Sequence, residues 1–170
     1  MTSCFAMDRR SLLKLACFTL AGAAGFQSFA GQGTKEKITM RLDPNDIARL
    51  ARDYTAAWNS KSADNVASYY AEDGEIVINH GEPWRGRSRV AAMAAGFFAD
   101  VPDLSLTCDE IRCAGSHAIY VWTFTGHDAK TGNPLKVCGW EEWDLDEDLK
   151  VRSSRGWYDA DDYALQVAGR

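Results

Sequence analysis

Histidine is scarce in this sequence, three in 170 residues, and the placement of those three excludes more than their number. His80, His117 and His127 never fall as His-x-His or His-x-x-x-His, and no two cysteines have the Cys-x-x-Cys spacing, so a metal centre is not expected. No glycine-rich loop leads from a strand into a helix, which removes the usual phosphate cradle; no cofactor is expected. Ser153-Ser154 lacks the strand–turn–helix setting of a nucleophilic serine. Positive charge is also in short supply. Nineteen Lys and Arg face 24 Asp and Glu, with no basic stripe, so nucleic acid is not expected as a partner. Long apolar runs are missing too: Leu15 to Gly25 is shorter than the roughly 20 residues a membrane span needs.

That short run is better explained as part of a leader. Asp8-Arg9-Arg10-Ser11-Leu12-Leu13-Lys14 precedes it, and Ser28-Phe29-Ala30 follows with small residues where a signal peptidase reads. The paired arginines resemble a twin-arginine export signal. Residues 1–30 are therefore expected to be a cleaved signal peptide, residues 31–42 a linker and residues 43–170 one domain, periplasmic or secreted and free of the membrane after cleavage. The leader holds three basic residues and one acidic, so 16 basic and 23 acidic residues remain, a net charge of −7. Three cysteines remain as well, an odd number and not the count of a disulfide framework. Cys108 and Cys113, five apart on one strand, are expected on opposite faces.

Hydrophobic periodicity then orders the domain. Asp43-Pro44 opens a helix as N-cap and first residue, and Ile47, Leu50, Ala51, Tyr54 and Trp58 recur on one face. Ser62 caps a short helix from Ala63 to Ala71. Glu75 to His80 reads as a strand, Gly81 to Gly86 as a loop, and Ser88 to Phe98 as a third helix. Four strands follow at 104–114, 117–128, 135–145 and 149–158, joined by turns, with 159–168 a helix or tail. This order predicts an α+β fold, a curved antiparallel sheet wrapped around three helices with a cavity between the layers.

Particular residues add a family. Tyr69-Tyr70-Ala71-Glu72-Asp73-Gly74 before a strand, Gly86-Arg87 before a helix, Trp122-Thr123-Phe124-Thr125-Gly126 and the late Gly156-Trp157-Tyr158-Asp159 resemble the nuclear-transport-factor-2-like (SnoaL-like) superfamily. The resemblance spans about residues 43–160. It implies a cone-shaped cystatin-like fold, a ligand cavity and a homodimer through the outer sheet face. Activities in that superfamily include isomerisation, cyclisation and dehydration, alongside noncatalytic binding. Set against its ketosteroid isomerases, the oxyanion tyrosine falls on Tyr54 and the oxyanion carboxyl on Glu141. The base falls on Ile78, which cannot accept a proton. His80, two residues on, can stand in as base or simply meet solvent.

Along 135–145 the odd residues are apolar except Glu141, so a lone carboxylate shares a face with Leu135, Val137 and Trp143. A symmetric turn at Asp146–Asp148 would put it opposite Ser153 and diagonal to Arg155. Two readings follow: an ion pair between Glu141 and Arg155, or a pocket lined by Tyr54, Trp58, Ile78, His80, Trp84, Phe97, Arg155 and Trp157 for a small apolar molecule. Glu141, Tyr54 and His80 would carry any catalysis. The even face, with Tyr120, Trp122, Phe124 and Trp140 beside charged residues, is expected to be the dimer interface.

Overall fold

The computed structural model describes residues 42–170. The expected leader and nearly all of the linker lie outside the described residues. Helix α1 runs from Pro44 to Asn59, and the Asp43 carboxylate accepts from Asn45 N at 2.8 Å, as its capping role requires. Its buried stripe is Ile47, Leu50, Ala51, Tyr54, Ala57 and Trp58. Helix α2 is one short turn, Ala63–Ala67, capped by Ser62. Strand β1 (Tyr70–Ile78) starts five residues earlier than the periodicity suggests and takes Tyr70 and Ala71 out of the helix. Within the expected loop, Trp84–Arg85 forms a two-residue strand, β2. Helix α3 spans Arg87–Asp100; its N-cap is Gly86 at φ 78°, a conformation glycine adopts freely, and not Ser88. Strands β3 (Ser105–Ala114), β4 (His117–His127), β5 (Pro134–Leu145) and β6 (Val151–Tyr158) follow, then helix α4 (Ala160–Val167).

The six strands make one curved open sheet in the order β2-β1-β6-β5-β4-β3. All neighbours are antiparallel except β1 and β6, which run parallel, so the sheet is mixed. Helices α1 and α3 cover its inner face, while α4 lies along β5, where the Gln166 amide accepts from Lys136 N at 2.7 Å and donates to Lys136 O at 3.1 Å. Asn59 at the end of α1 ties the layers together: its amide donates to Leu106 O at 2.9 Å and accepts from Leu106 N at 2.7 Å.

Three local features decide which side chains face inward. The β4–β5 connection holds six residues between the paired His127 and Pro134. Buried Asp128 organises it, accepting from Thr131 N and Thr131 Oγ1, each at 2.8 Å, and those bonds hold its carboxyl below the usual range. An even loop pairs even residues with odd ones, so Tyr120 faces Glu141, Trp122 faces Gly139 and Phe124 faces Val137. Tyr120, Trp122 and Phe124 therefore point into the core, with exposures of 0%, 9% and 4%, and only Trp140 of the expected interface set lies on the outer face. A register shift between Asp144 and Leu145 does the same on β6: Glu141 pairs with Gly156, while exposed Arg155 pairs with Glu142 on the outer face. A third irregularity, between Cys108 and Glu110, puts Cys108 and Cys113 on the same face, where both are free thiols.

Candidate functional site

Between the sheet and the helices lies a cavity of about 50 Å³, partly open to solvent. That is space for several waters or one small organic molecule. Trp58 of α1 and Met93 and Phe97 of α3 cover it. Ile76 and Ile78 of β1, Gly156 and Tyr158 of β6 and Glu141 of β5 form one wall; Trp122 and Phe124 of β4, with Leu104 and Leu106, form the other. Glu141 is the one ionisable carboxyl among these residues.

Gly156 accounts for part of the space. It pairs with Ile78 on one side and Glu141 on the other, so the three form one lane across β1, β6 and β5. A Cβ at Gly156 would sit 3.7 Å from Glu141 Cγ and 3.8 Å from Ile78 Cγ1, at ordinary contact distance. The missing methyl group leaves a gap between them. Gly139 acts differently. A Cβ there would overlap the Trp122 indole at Cζ2 and Cη2, so glycine is what lets that ring lie flat against β5.

Glu141 is 6% exposed and its two oxygens are not equivalent. Oε2 accepts from Trp143 Nε1 at 2.8 Å and from Ser154 Oγ at 3.0 Å. An indole N–H can only donate, so Oε2 is the accepting oxygen in either charge state. Oε1 makes only a 3.4 Å contact with the Tyr54 hydroxyl. Burial pushes the Glu141 carboxyl above the ordinary carboxylate range, and the donors from Trp143, Ser154 and Tyr54 offset this in part. With Oε2 accepting from two donors, Oε1 is the oxygen left to carry a proton whenever the carboxyl is neutral.

Tyr54 stands behind Glu141. It is fully buried and outside the cavity lining, edge-on to Trp143 at 5.2 Å, with its hydroxyl 3.3 Å from that of Tyr70. Burial, then the neighbouring Glu141 charge, push both phenols well above 10; Trp58 N–H works slightly the other way at Tyr54, although it makes no hydrogen bond of normal geometry. Tyr54 thus reaches Glu141 and not the cavity.

Of the residues expected in the pocket, Trp58, Ile78, Phe97 and Glu141 line it. Arg155 does not, and its ion pair with Glu141 does not form, because the register shift on β6 turns it outward. His80 follows Asn79, whose φ of 52° ends the strand, so it leaves the face of Ile78. Its ring lies 5.0 Å from that of Trp157, which packs on Trp140 at 5.8 Å on the outer face. Trp84 lies outside the lining too, half-buried under the Arg89 guanidinium at 4.9 Å. Sequence reasoning missed Trp122, Phe124, Tyr158 and Gly156 as wall residues. The even length of the 128–133 loop was the signal for the first two. Among the described residues no three His, Cys, Asp or Glu side chains converge as a metal would require.

The fold and cavity can now be set beside known proteins. A family model described as the SnoaL-like domain matches residues 51–153, more than half the chain. The chain belongs to the SnoaL-like family. Solved structures agree on this SnoaL-like fold. TsrD from Streptomyces laurentii superposes with a TM-score of 0.67 at 19% identity, over 76% of this chain and 99% of its own. A SnoaL-like polyketide cyclase from Jannaschia sp. CCS1 gives 0.63 at 13%, over 76% and 99%. A hypothetical protein from Catenulispora acidiphila with a ketosteroid-isomerase-like fold, in complex with trimethylamine, gives 0.65 at 19%, over 70% and 92%. No curated protein matches the sequence.

Proposed function

We propose that this SnoaL-like chain is an exported protein that binds a small apolar carbonyl compound in the cavity and transfers a proton to its oxygen through Glu141. The class of reaction is cofactor-independent isomerisation, cyclisation or dehydration. One observation carries the reading: a buried carboxyl, its Oε2 fixed by Trp143 and Ser154, is the lone acid in an apolar cavity. Of these, dehydration asks least of such a site. Oε1 gives its proton to the departing oxygen as the C–O bond breaks, and the resulting carboxylate then takes a proton from the neighbouring carbon. Tyr54 acts as a positioning residue, donating to Glu141. The test is turnover of a panel of β-hydroxyketones, followed by loss of the hydroxyl, in wild type and Glu141→Gln. Dehydration that depends on Glu141 supports the reading; equal rates in both proteins refute it.

A second reading is binding without chemistry, and the observation favouring it is Ile78, an alkyl group where the wall would need a base. Trimethylamine, the ligand of the Catenulispora neighbour, is a useful probe here. An ammonium ion among Trp58, Trp122 and Phe124 would need Glu141 ionised and would bind better as pH rises. A carbonyl compound that needs the proton on Oε1 would bind worse.

Dimerisation through the outer sheet face is also proposed, now with Trp140, Trp157, Ile119 and Val121 as its apolar members. Light scattering of Trp140→Glu beside wild type tests it. The mature N-terminus of protein recovered from an exported fraction tests cleavage near Ala30.

A further inference from the structure

The residues that line the cavity are buried except Ile78, Phe97 and Tyr158, which are half-buried, so these three rim its mouth. Ile78 and Tyr158 are the last residues of β1 and β6, and Phe97 lies in the last turn of α3. Helix α4 begins two residues after Tyr158 and brings Tyr163 back to this rim. The two tyrosine rings meet edge to face, with centroids 5.9 Å apart and planes at 73°. Burial, then the charges of Asp100 and Asp128, push the Tyr163 phenol above its ordinary value. Asp100 ends α3, so the Tyr163 side chain reaches from the end of β6 toward the end of α3, beside the mouth.

What holds α4 there is slight. None of its residues is buried, and Leu165 is 44% exposed. Strand β6 pairs with β5 only from Gly139 onward, which leaves the backbone of Lys136 open on that side. Gln166 fills the place, and Asn133 Nδ2 adds a bond to Val167 O at 2.8 Å. Water can replace each of these bonds at little cost, and an eight-residue helix is marginal by itself. Segments with few buried apolar contacts and exposed hydrogen bonds are the first to open. We propose that α4 is a lid: it lifts from β5 as a unit, releases the Tyr163 brace on Tyr158, and lets a guest pass the mouth. The lid governs passage and not proton transfer, so it goes beyond the carbonyl reading and applies to any small apolar guest.

Hydrogen exchange in the wild-type full chain reads the lifting, because the Lys136 N–H donates to Gln166. Lys136 and the α4 amides should exchange together, at least about ten-fold faster than the amides paired between β4 and β5. Fluorobenzene, which has no oxygen for Glu141 to meet, reads the passage by ¹⁹F exchange spectroscopy. Gln166→Ala removes both bonds to Lys136 and should raise entry and exit rates alike, about ten-fold, with the dissociation constant held within about two-fold. A Lys136 amide as slow as the β4–β5 ladder overturns the lid, and so does an entry rate that Gln166→Ala leaves unchanged. Faster exit with unchanged entry also overturns it, since α4 would then be a wall of the site. No binding of fluorobenzene overturns it too, because the cavity would take no guest of the kind the lid admits. The exchange measurement needs neither the probe nor the variant.

Discussion

Replacing Glu141 with glutamine should make the protein more stable at neutral pH and leave it little changed in mild acid. Burial raises the Glu141 carboxyl above its ordinary 4.5 in the folded state, while the unfolded chain keeps the ordinary value. Between these two values the native protein holds one proton that the unfolded chain has released. Stability must then fall as pH rises, by about 1.4 kcal/mol per pH unit for one proton. Below the unfolded value the contribution is fully present; above the folded value the loss levels off. Glutamine keeps an oxygen for Trp143 Nε1 and Ser154 Oγ, and the Tyr54 hydroxyl can accept from its amide, but it has no proton to lose. Urea unfolding followed by tryptophan fluorescence, for both proteins from pH 4.5 to 8, gives the comparison. The stability difference between variant and wild type should open with pH at up to that slope and then flatten. A difference that stays constant across the range would refute the assignment of a raised value to Glu141.

Gly156→Ala places a methyl group at 3.7–3.8 Å from Glu141 and Ile78, so stability should change by less than about 0.5 kcal/mol while ligand affinity falls about ten-fold, measured by unfolding and fluorescence titration. Gly139→Ala should do the reverse in kind: its methyl overlaps the Trp122 ring, and a thermal or urea melt should show a loss of about 1–3 kcal/mol. Tyr54→Phe removes only contacts of 3.3–3.5 Å and should cost about 1 kcal/mol or less. Because the Tyr54 bond lowers the Glu141 value, its loss should move the pH at which carbonyl affinity declines upward, and an unmoved profile would count against Tyr54 as a positioning residue.

Most of the helices and strands were legible because each rests on local chemistry: Asp43-Pro44 starts α1, Ser62 starts α2, and alternation marks β3 to β6. Side-chain facing was harder. It depends on the parity of loops and on single-residue register shifts, which alternation along one strand does not contain. That is why Trp122 and Phe124 were expected outside and line the cavity, and why Arg155 was expected beside Glu141 and lies on the other face. The parallel β1–β6 pair was hidden for a related reason, since it joins strands distant in the chain. Glu141 was visible because a lone carboxylate on an apolar face is conspicuous at any register, and Tyr54 reached it because α1 was read in the right phase.

The Asn59 side chain meets Leu106 as another strand would, offering one donor and one acceptor to the same backbone residue. It places the end of a helix, and with it the Trp58 indole, in fixed register with β3. A wall fastened in this way does not retreat to admit a larger guest. Across a series of ligands lengthened one carbon at a time, affinity should rise with each added carbon and then stop abruptly, the behaviour of a calibrated gauge and not of a pocket that swells to fit.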